Sequence, residues 1–249
     1  MKFISLNIEV NKHYDTIYPF FEKHQPDVIC LQEVLEEDFI TIKEKTGLNG
    51  VFKVHGRCVS SLKRHLDVYG RRYGVAIFAK TIISSDYFFY WGKEEYLEIA
   101  TEEYKLDADQ YKSYVCLWAD IKNINGHVYR YAVTHFPVTI KGESSVHQLE
   151  ILKPFFEGLD TLQEFVLCGD FNAPRGKETF RRISEKYKDN IPLHYKTSID
   201  QNLHRDKDQK IMFVVDGLFT TPLYSTENTK LIDGVSDHMA VVSTIKTLF

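Results

Sequence analysis

Asp170 and Asn172 stand two apart in the stretch "VLCGDFNAPRG", just past the apolar run Phe165-Val166-Leu167-Cys168. A carboxylate and an amide at a strand exit would be held with little positional freedom, on the same side of an extended chain. The placement recurs. Asn7 follows Ile4-Ser5-Leu6, Glu33 follows Ile29-Cys30-Leu31-Gln32, and His135 follows Val133-Thr134. Asp216 follows Phe213-Val214-Val215, and Asp237-His238 precedes the last apolar run. Taken singly, each has a bland reading. Asn7 caps a turn, Glu33 leads into a helix, His135 is a hydrogen-bonded strand-end histidine, Asp170-x-Asn172 is an Asx turn, Asp216 marks a bulge before Gly217, and Ser236-Asp237-His238 is a loop. As a set they point to chemistry. An unpaired carboxylate beside a core is costly, and carboxylates, amides and histidines at one sheet rim would partner one another. Glu33, Asp170 and Asp237, with Asn7 and Asn172, are hard oxygen donors that suit Mg2+ or Mn2+. Zinc would call for Cys or clustered His, and neither spacing is present.

Such side chains need strands to aim them. Lys2 to Glu9 and Val28 to Glu33 read as strands, with a helix over 14–24 between them and Pro19 as its weak point. A second helix is expected over 36–46, stopped by Gly47, and a strand over 51–55. Strand-like runs at 74–79, 81–90, 113–122 and 127–134 follow without clear helices between them. Asn125-Gly126 signals a tight hairpin between the last two. Helices are expected over 143–159, with Pro154 as a kink or early stop, and over 177–188. Residues 189–210 read as loop, and 212–220 and 239–245 as strands. Strand–helix units at the ends and hairpins in the middle predict a mixed-sheet α/β or α+β domain rather than an all-parallel doubly wound sheet.

The chain has 249 residues and 43% hydrophobic content, enough for one large domain or two small ones. A net charge of −4 excludes a generally basic nucleic-acid binder, though not a local basic groove. The 14% aromatic share is read as core and sheet packing. The four cysteines are scattered with no C-x-x-C pair, the usage of a reducing compartment. The N-terminus does not read as a secretory signal and no run approaches a membrane span, so a soluble, cytoplasmic protein is expected.

The stretches "SLNIE" (5–9), "LQEV" (31–34), "GVAIFAK" (74–80), "VTHFP" (133–137), "LCGDFNAPR" (167–175), "FVVDGLF" (213–219) and "GVSDHMAVV" (234–242) resemble the endonuclease/exonuclease/phosphatase superfamily of metal-dependent phosphoesterases. They occur in that family's order across nearly the whole chain. The resemblance implies one catalytic domain over 1–249, an α+β four-layer αββα sandwich of two packed mixed β-sheets flanked by helices. It also implies roles. Glu33 would be the principal metal ligand, assisted by Asn7, with Asp237 close to the ion. Asp170 would orient or deprotonate the attacking water, and Asn172 would hold that water or a phosphate oxygen. His238 would contact the scissile phosphate, oriented by Asp216, and His135 would donate from the other side.

Departures narrow the substrate. The abasic-site endonuclease branch usually has tyrosine at the position of His135 and a different stretch at Val214-Val215-Asp216-Gly217. The inositol-polyphosphate phosphatase branch differs in the residues beside Asp216. Branches with histidine remain: nonspecific nucleases, deadenylases, sphingomyelinases and DNA–protein-adduct phosphodiesterases. The basic segment 57–73 contains Arg57, Lys63, Arg64, His65, Arg71 and Arg72, with Tyr69 and Tyr73. It reads either as a solvated loop or as a phosphate-tracking loop with stacking tyrosines. His204, Arg205 and Arg175 are further candidates for phosphate contacts. The expectation is a monomeric, Mg2+-dependent phosphodiester hydrolase (Mn2+ a possible substitute), a nuclease first, with a phosphomonoesterase or small-molecule or lipid-head-group phosphodiesterase as rival. A catalytically silent binding module is the third reading.

Overall fold

Strand β1 (Lys2–Asn7) and strand β2 (Val28–Leu35) send successive side chains to opposite faces, and both faces are apolar. Phe3 and Cys30 enter one hydrophobic cluster, and Ile4, Leu6, Ile29 and Leu31 enter another. A strand with two apolar faces must be covered on both sides. The computed structural model, which describes residues 1–58, 67–94, 113–205 and 210–248, shows how.

The remaining strands are β3 (Asn49–Arg57), β4 (Arg72–Ala79), β5 (Ile82–Trp91), β6 (Tyr114–Lys122), β7 (Val128–His135), β8 (Val166–Asp170), β9 (Lys188–Asp189), β10 (Asp216–Thr220), β11 (Tyr224–Ile232) and β12 (Ala240–Thr247). They form two six-stranded sheets, ordered β11-β12-β1-β2-β4-β3 and β5-β6-β7-β8-β10-β9. Both are mixed: β1 pairs with β2, and β7 with β8, in parallel, and the other pairings are antiparallel. Phe3, Val75 and Ile77 of the first sheet meet Leu117, Val133 and Cys168 of the second in the central core. Helices α1 (Tyr14–His24) and α2 (Phe39–Thr46) cover the first sheet through Ile17, Phe21 and Ile42. Helices α3 (Val146–Asp160) and α4 (Glu178–Lys186) cover the second through Ile151, Phe155, Phe180 and Ile183. The result is the expected helix–sheet–sheet–helix sandwich.

Several boundaries depart from expectation. Helix α3 begins at Val146, not 143, because Ser145 caps it by accepting the Gln148 N–H at 3.0 Å. Pro154 does not stop α3, whose buried Ile151, Leu152, Phe155 and Leu159 hold it against the sheet. Pro19 likewise sits inside α1. The expected hairpin at Asn125-Gly126 joins antiparallel β6 and β7. Residues 123–127 form the connection, and Asn123 Oδ1 accepts the N–H groups of Asn125 and His127, each at 2.9 Å. Residues 212–215 are not strand. Their carbonyls serve neighbouring loops, Val215 accepting from Phe171 and Val214 from Arg175. Strand β11 was not expected at all. It is an edge strand of largely polar composition, so its pattern carries little apolar signal.

Candidate active site

Asn7, His135, Asp170 and Asp216 occupy the last or first positions of β1, β7, β8 and β10. Pairing register brings them together. His135 is the partner of Asp170 across β7–β8, and Asp170 is the partner of Asp216 across β8–β10. This close approach depends on Gly169, at φ +148°, where a Cβ would meet the Thr134 carbonyl oxygen at 2.0 Å.

Glu33 reaches the same rim by a different device. The β2–β4 register shifts between Leu31 and Val34, and Glu33 sits in that bulge at φ 60°. A bulge re-aims a side chain, and a left-handed non-glycine residue there is a strained position of the kind that collects at functional sites. Asn172 is left-handed too, at φ 47°, which asparagine tolerates well.

The side chains converge on Asp170. Its Oδ1 accepts the Asn172 N–H at 2.8 Å. Its Oδ2 accepts from Asn7 Nδ2 at 3.2 Å and lies 3.5 Å from His135 Nε2 and 3.7 Å from His238 Nε2. Asn7 Nδ2 also donates to Glu33 Oε1 at 3.2 Å. Asn172 Nδ2 donates to the Phe136 carbonyl at 2.9 Å and stands 3.1 Å from His135 Nε2. His238 Nδ1 is 2.9 Å from Asp216 Oδ2.

Charge follows from burial and neighbours. Burial alone would lower the pKa of His238, but Asp216 and Asp170 outweigh it and hold the imidazole cationic, well above its ordinary value. Burial, reinforced by the negative charges of Glu9 and Glu33, pushes the Asp237 carboxyl up to about 7, against the pull of His238. Crowded, buried oxygen donors of this kind fit a divalent cation, whose charge would relieve that crowding. Among the described residues, two groups of ligand atoms each lie within 4.8 Å of one another: Glu9, His13 and Asp237, and Asp170, Asp216 and His238.

Asn7, Glu33, His135, Asp170, Asn172, Asp237 and His238 line one cavity of about 700 Å3, and Asp216 stands behind His238. His204 and Arg205 line the cavity as well. The other basic candidates are turned elsewhere. Arg71 pairs with Glu37 at 2.7 Å and Arg72 with Glu36 at 3.0 Å. Tyr73 meets the ring of His55 edge-on at 4.8 Å. Arg175 pairs with Asp189 at 2.8 Å and donates to the Ile191 carbonyl at 2.9 Å. Each of these three arginines thus has a carboxylate partner, and none lines the cavity. Lys63, Arg64 and His65 lie outside the described residues.

Three residues escaped the sequence reading. Gln148, fully buried on α3, donates to the carbonyls of Pro137 at 2.9 Å and Asn172 at 3.1 Å, tying the exits of β7 and β8 together. Ser198 Oγ accepts the N–H of Asp216 at 3.1 Å. His55 is buried 5.6 Å edge-on from His135, and burial, then the charge of His135, holds its pKa down to about 3. His135 Nδ1 and His55 Nε2 are buried with no hydrogen-bond partner among the described residues.

The endonuclease/exonuclease/phosphatase family pattern matches residues 4–238. No curated protein matches the chain by sequence. Solved structures share the fold. An endonuclease/exonuclease/phosphatase from Bacteroides vulgatus is 16% identical, with a TM-score of 0.71 over 99% of this chain and 98% of that one. A mannosyl-6-phosphatase from Bacteroides thetaiotaomicron VPI-5482 is 16% identical, with a TM-score of 0.66 over 99% of each chain. The catalytic domain of human Nocturnin, solved with bound sulfate, is 15% identical, with a TM-score of 0.68 over 99% of this chain and 94% of that one.

Proposed function

The chain belongs to the endonuclease/exonuclease/phosphatase family, whose members are phosphoesterases, and on that premise we propose that it is a Mg2+-dependent phosphodiester hydrolase acting on nucleic acid. The observation that carries this reading is the placement of Asp170 Oδ2 within 3.5 and 3.7 Å of two imidazoles, one of them held cationic by Asp216. Hydrolysis of a phosphodiester needs a base for the attacking water and positive or donor groups for the equatorial oxygens.

Asp170 is the base. Asn7 and the Asn172 N–H fix its carboxylate by hydrogen bonds, which leaves it little rotational freedom. His238, as an imidazolium, donates from Nε2 to a non-bridging oxygen, and its Nδ1–H is engaged by Asp216. His135 and Asn172 Nδ2 stand on the other side and donate to the same phosphate. Asn7, Glu33 and Asp237 would hold a divalent ion, Mg2+ or Mn2+, which when bound neutralises charge on the phosphate. Phosphomonoesters are the second reading, favoured by the likeness to the mannosyl-6-phosphatase.

The four cysteines are unpaired, in keeping with a reducing, cytoplasmic setting. No helix among the described residues is long and apolar enough to cross a membrane. We read the protein as a monomer with a phosphoester as its partner.

The test is hydrolysis by the purified protein with Mg2+ of single-stranded DNA, RNA, bis-p-nitrophenyl phosphate and p-nitrophenyl phosphate. Diesters are expected to be cut faster than the monoester. Good turnover of the monoester with no cleavage of either polymer would replace the nuclease reading with the phosphatase one.

A further inference from the structure

The cavity of the proposed reaction has a second half that the chemistry above does not use. Beyond the reacting groups, its lining comes from the connection between β7 and α3 and from the segment leading into β10. Val138, Met212 and Phe213 supply apolar surface there, and Val138 and Met212 are 70% and 54% exposed. Lys141 and Lys210 line the same cavity, and neither has a carboxylate partner among the described residues. Both lysines hold left-handed backbone, at φ 53° and φ 47°, where lysine is uncommon.

A single exposed valine or methionine is ordinary, and so is a solvated lysine. Their meeting in one concavity with the acidic groups is not. Glu33, Asp170 and Asp237 share the cavity lining with Lys141 and Lys210. The acidic groups suit a metal that would bind the scissile phosphate. The lysines are then free to take another anion. Met212 and Phe213 between them offer a polarisable thioether and an aromatic face, surfaces on which a base can lie. A volume of about 700 Å3 falls within the range of small-molecule pockets.

The geometry points to a compact substrate: a nucleotide-sized phosphodiester with a second phosphate, its base on Met212 and Phe213 and its second phosphate on Lys141 and Lys210. This rests on the phosphodiesterase reading and narrows it to short or terminal nucleotides.

The experiment compares the dinucleotide dTpdT with its 5′-phosphorylated and 3′-phosphorylated forms at low salt. One phosphorylated form is expected to exceed dTpdT in kcat/KM by about tenfold or more, on the scale of one charge-assisted phosphate contact. The ratio should fall close to one in the double variant Lys141→Gln, Lys210→Gln. Because it is a ratio within one variant, a general loss of activity does not move it. Met212→Ala should raise KM for dTpdT several-fold. A ratio near one in the wild type, or a ratio the double variant leaves intact, overturns the subsite, and an unchanged KM removes the base from the apolar wall. If the wild type cuts no dinucleotide, the phosphodiesterase reading fails, and calorimetry decides the subsite separately. Tighter binding of a phosphorylated form, lost in the double variant, upholds it, and equal affinities overturn it.

Discussion

Asp170 and Asp216 face each other as register partners across β8 and β10, and His238 reaches both, Nδ1 at 2.9 Å from Asp216 and Nε2 at 3.7 Å from Asp170. Two buried aspartates side by side would repel if nothing stood between them. The imidazolium removes that conflict and divides their work. Asp216 is engaged by Nδ1, and Asp170 remains open to the cavity, to Asn7 and to His135.

Asp216→Asn should therefore disable His238 without emptying the site. The amide cannot hold the imidazole cationic, so kcat for a phosphodiester is expected to fall by about a hundredfold or more, within the range of positioned acid–base groups. KM should change by less than about threefold, since the groups contacting substrate remain. Steady-state kinetics check both numbers, and a raised KM at unchanged kcat would assign Asp216 to binding.

Asp237 is expected to limit the stability of the metal-free protein at high pH. Its folded carboxyl is raised from 3.8 to about 7. A carboxyl raised on folding contributes stability at low pH that is lost as pH rises between those values. Asp237→Asn should thus stabilise the chelator-treated protein at pH 8 by up to about 4 kcal/mol and have little effect near pH 4. Denaturant unfolding at the two pH values measures it. With Mg2+ at pH 8 the advantage should shrink, because the ion stabilises the native protein that keeps the carboxylate.

His55 works in the opposite sense. Its pKa is lowered from 6.5 to about 3 by burial and by His135. The unfolded chain gains a proton there that the folded chain refuses, so stability is lost as pH falls from 6.5 toward 3. His55→Phe should remove about 1.4 kcal/mol per pH unit from the acid dependence over that window. Equal slopes for variant and wild type would show that His55 is not the buried neutral group described.

Much of this site was legible because polar residues interrupt or end apolar runs, and strands have few ways to tolerate that. Asn7, His135, Asp170 and Asp216 were all marked in this way, and the register of three neighbouring strands makes neighbours of the last three. What was not legible depends on tertiary context. The bulge at Glu33 leaves no trace in the pattern of Val28 to Leu35. Gln148 looks like any polar residue of an amphipathic helix until its amide is found on two loop carbonyls. His55 stands in a run with no apolar alternation to mark it. The loop 212–215 imitates a strand because its residues are apolar, but they face a cavity and neighbouring loops. Arg71 and Arg72 read as free cations only while Glu36 and Glu37 were distant in sequence.

Gly169 carries the approach of β8 to β7. Gly169→Ala would place a methyl group 2.0 Å from the Thr134 carbonyl oxygen, on backbone at φ +148°. Relief requires the two central strands to part, so a loss of at least about 3 kcal/mol, or failure to fold, is expected. Thermal unfolding settles it, and a variant as stable as wild type would mean that the strands can separate freely at this point.

Asp170 is the base of the proposed metal-dependent phosphodiester hydrolysis, and the rate on bis-p-nitrophenyl phosphate tests that role most directly. Wild type should turn over with Mg2+, stop in excess chelator and recover with Mg2+ or Mn2+. Asp170→Asn, folded and assayed with Mg2+, should be slower by about a thousandfold, within the range for loss of a general base. Full activity in excess chelator, or an Asp170→Asn rate within twofold of wild type, would contradict it.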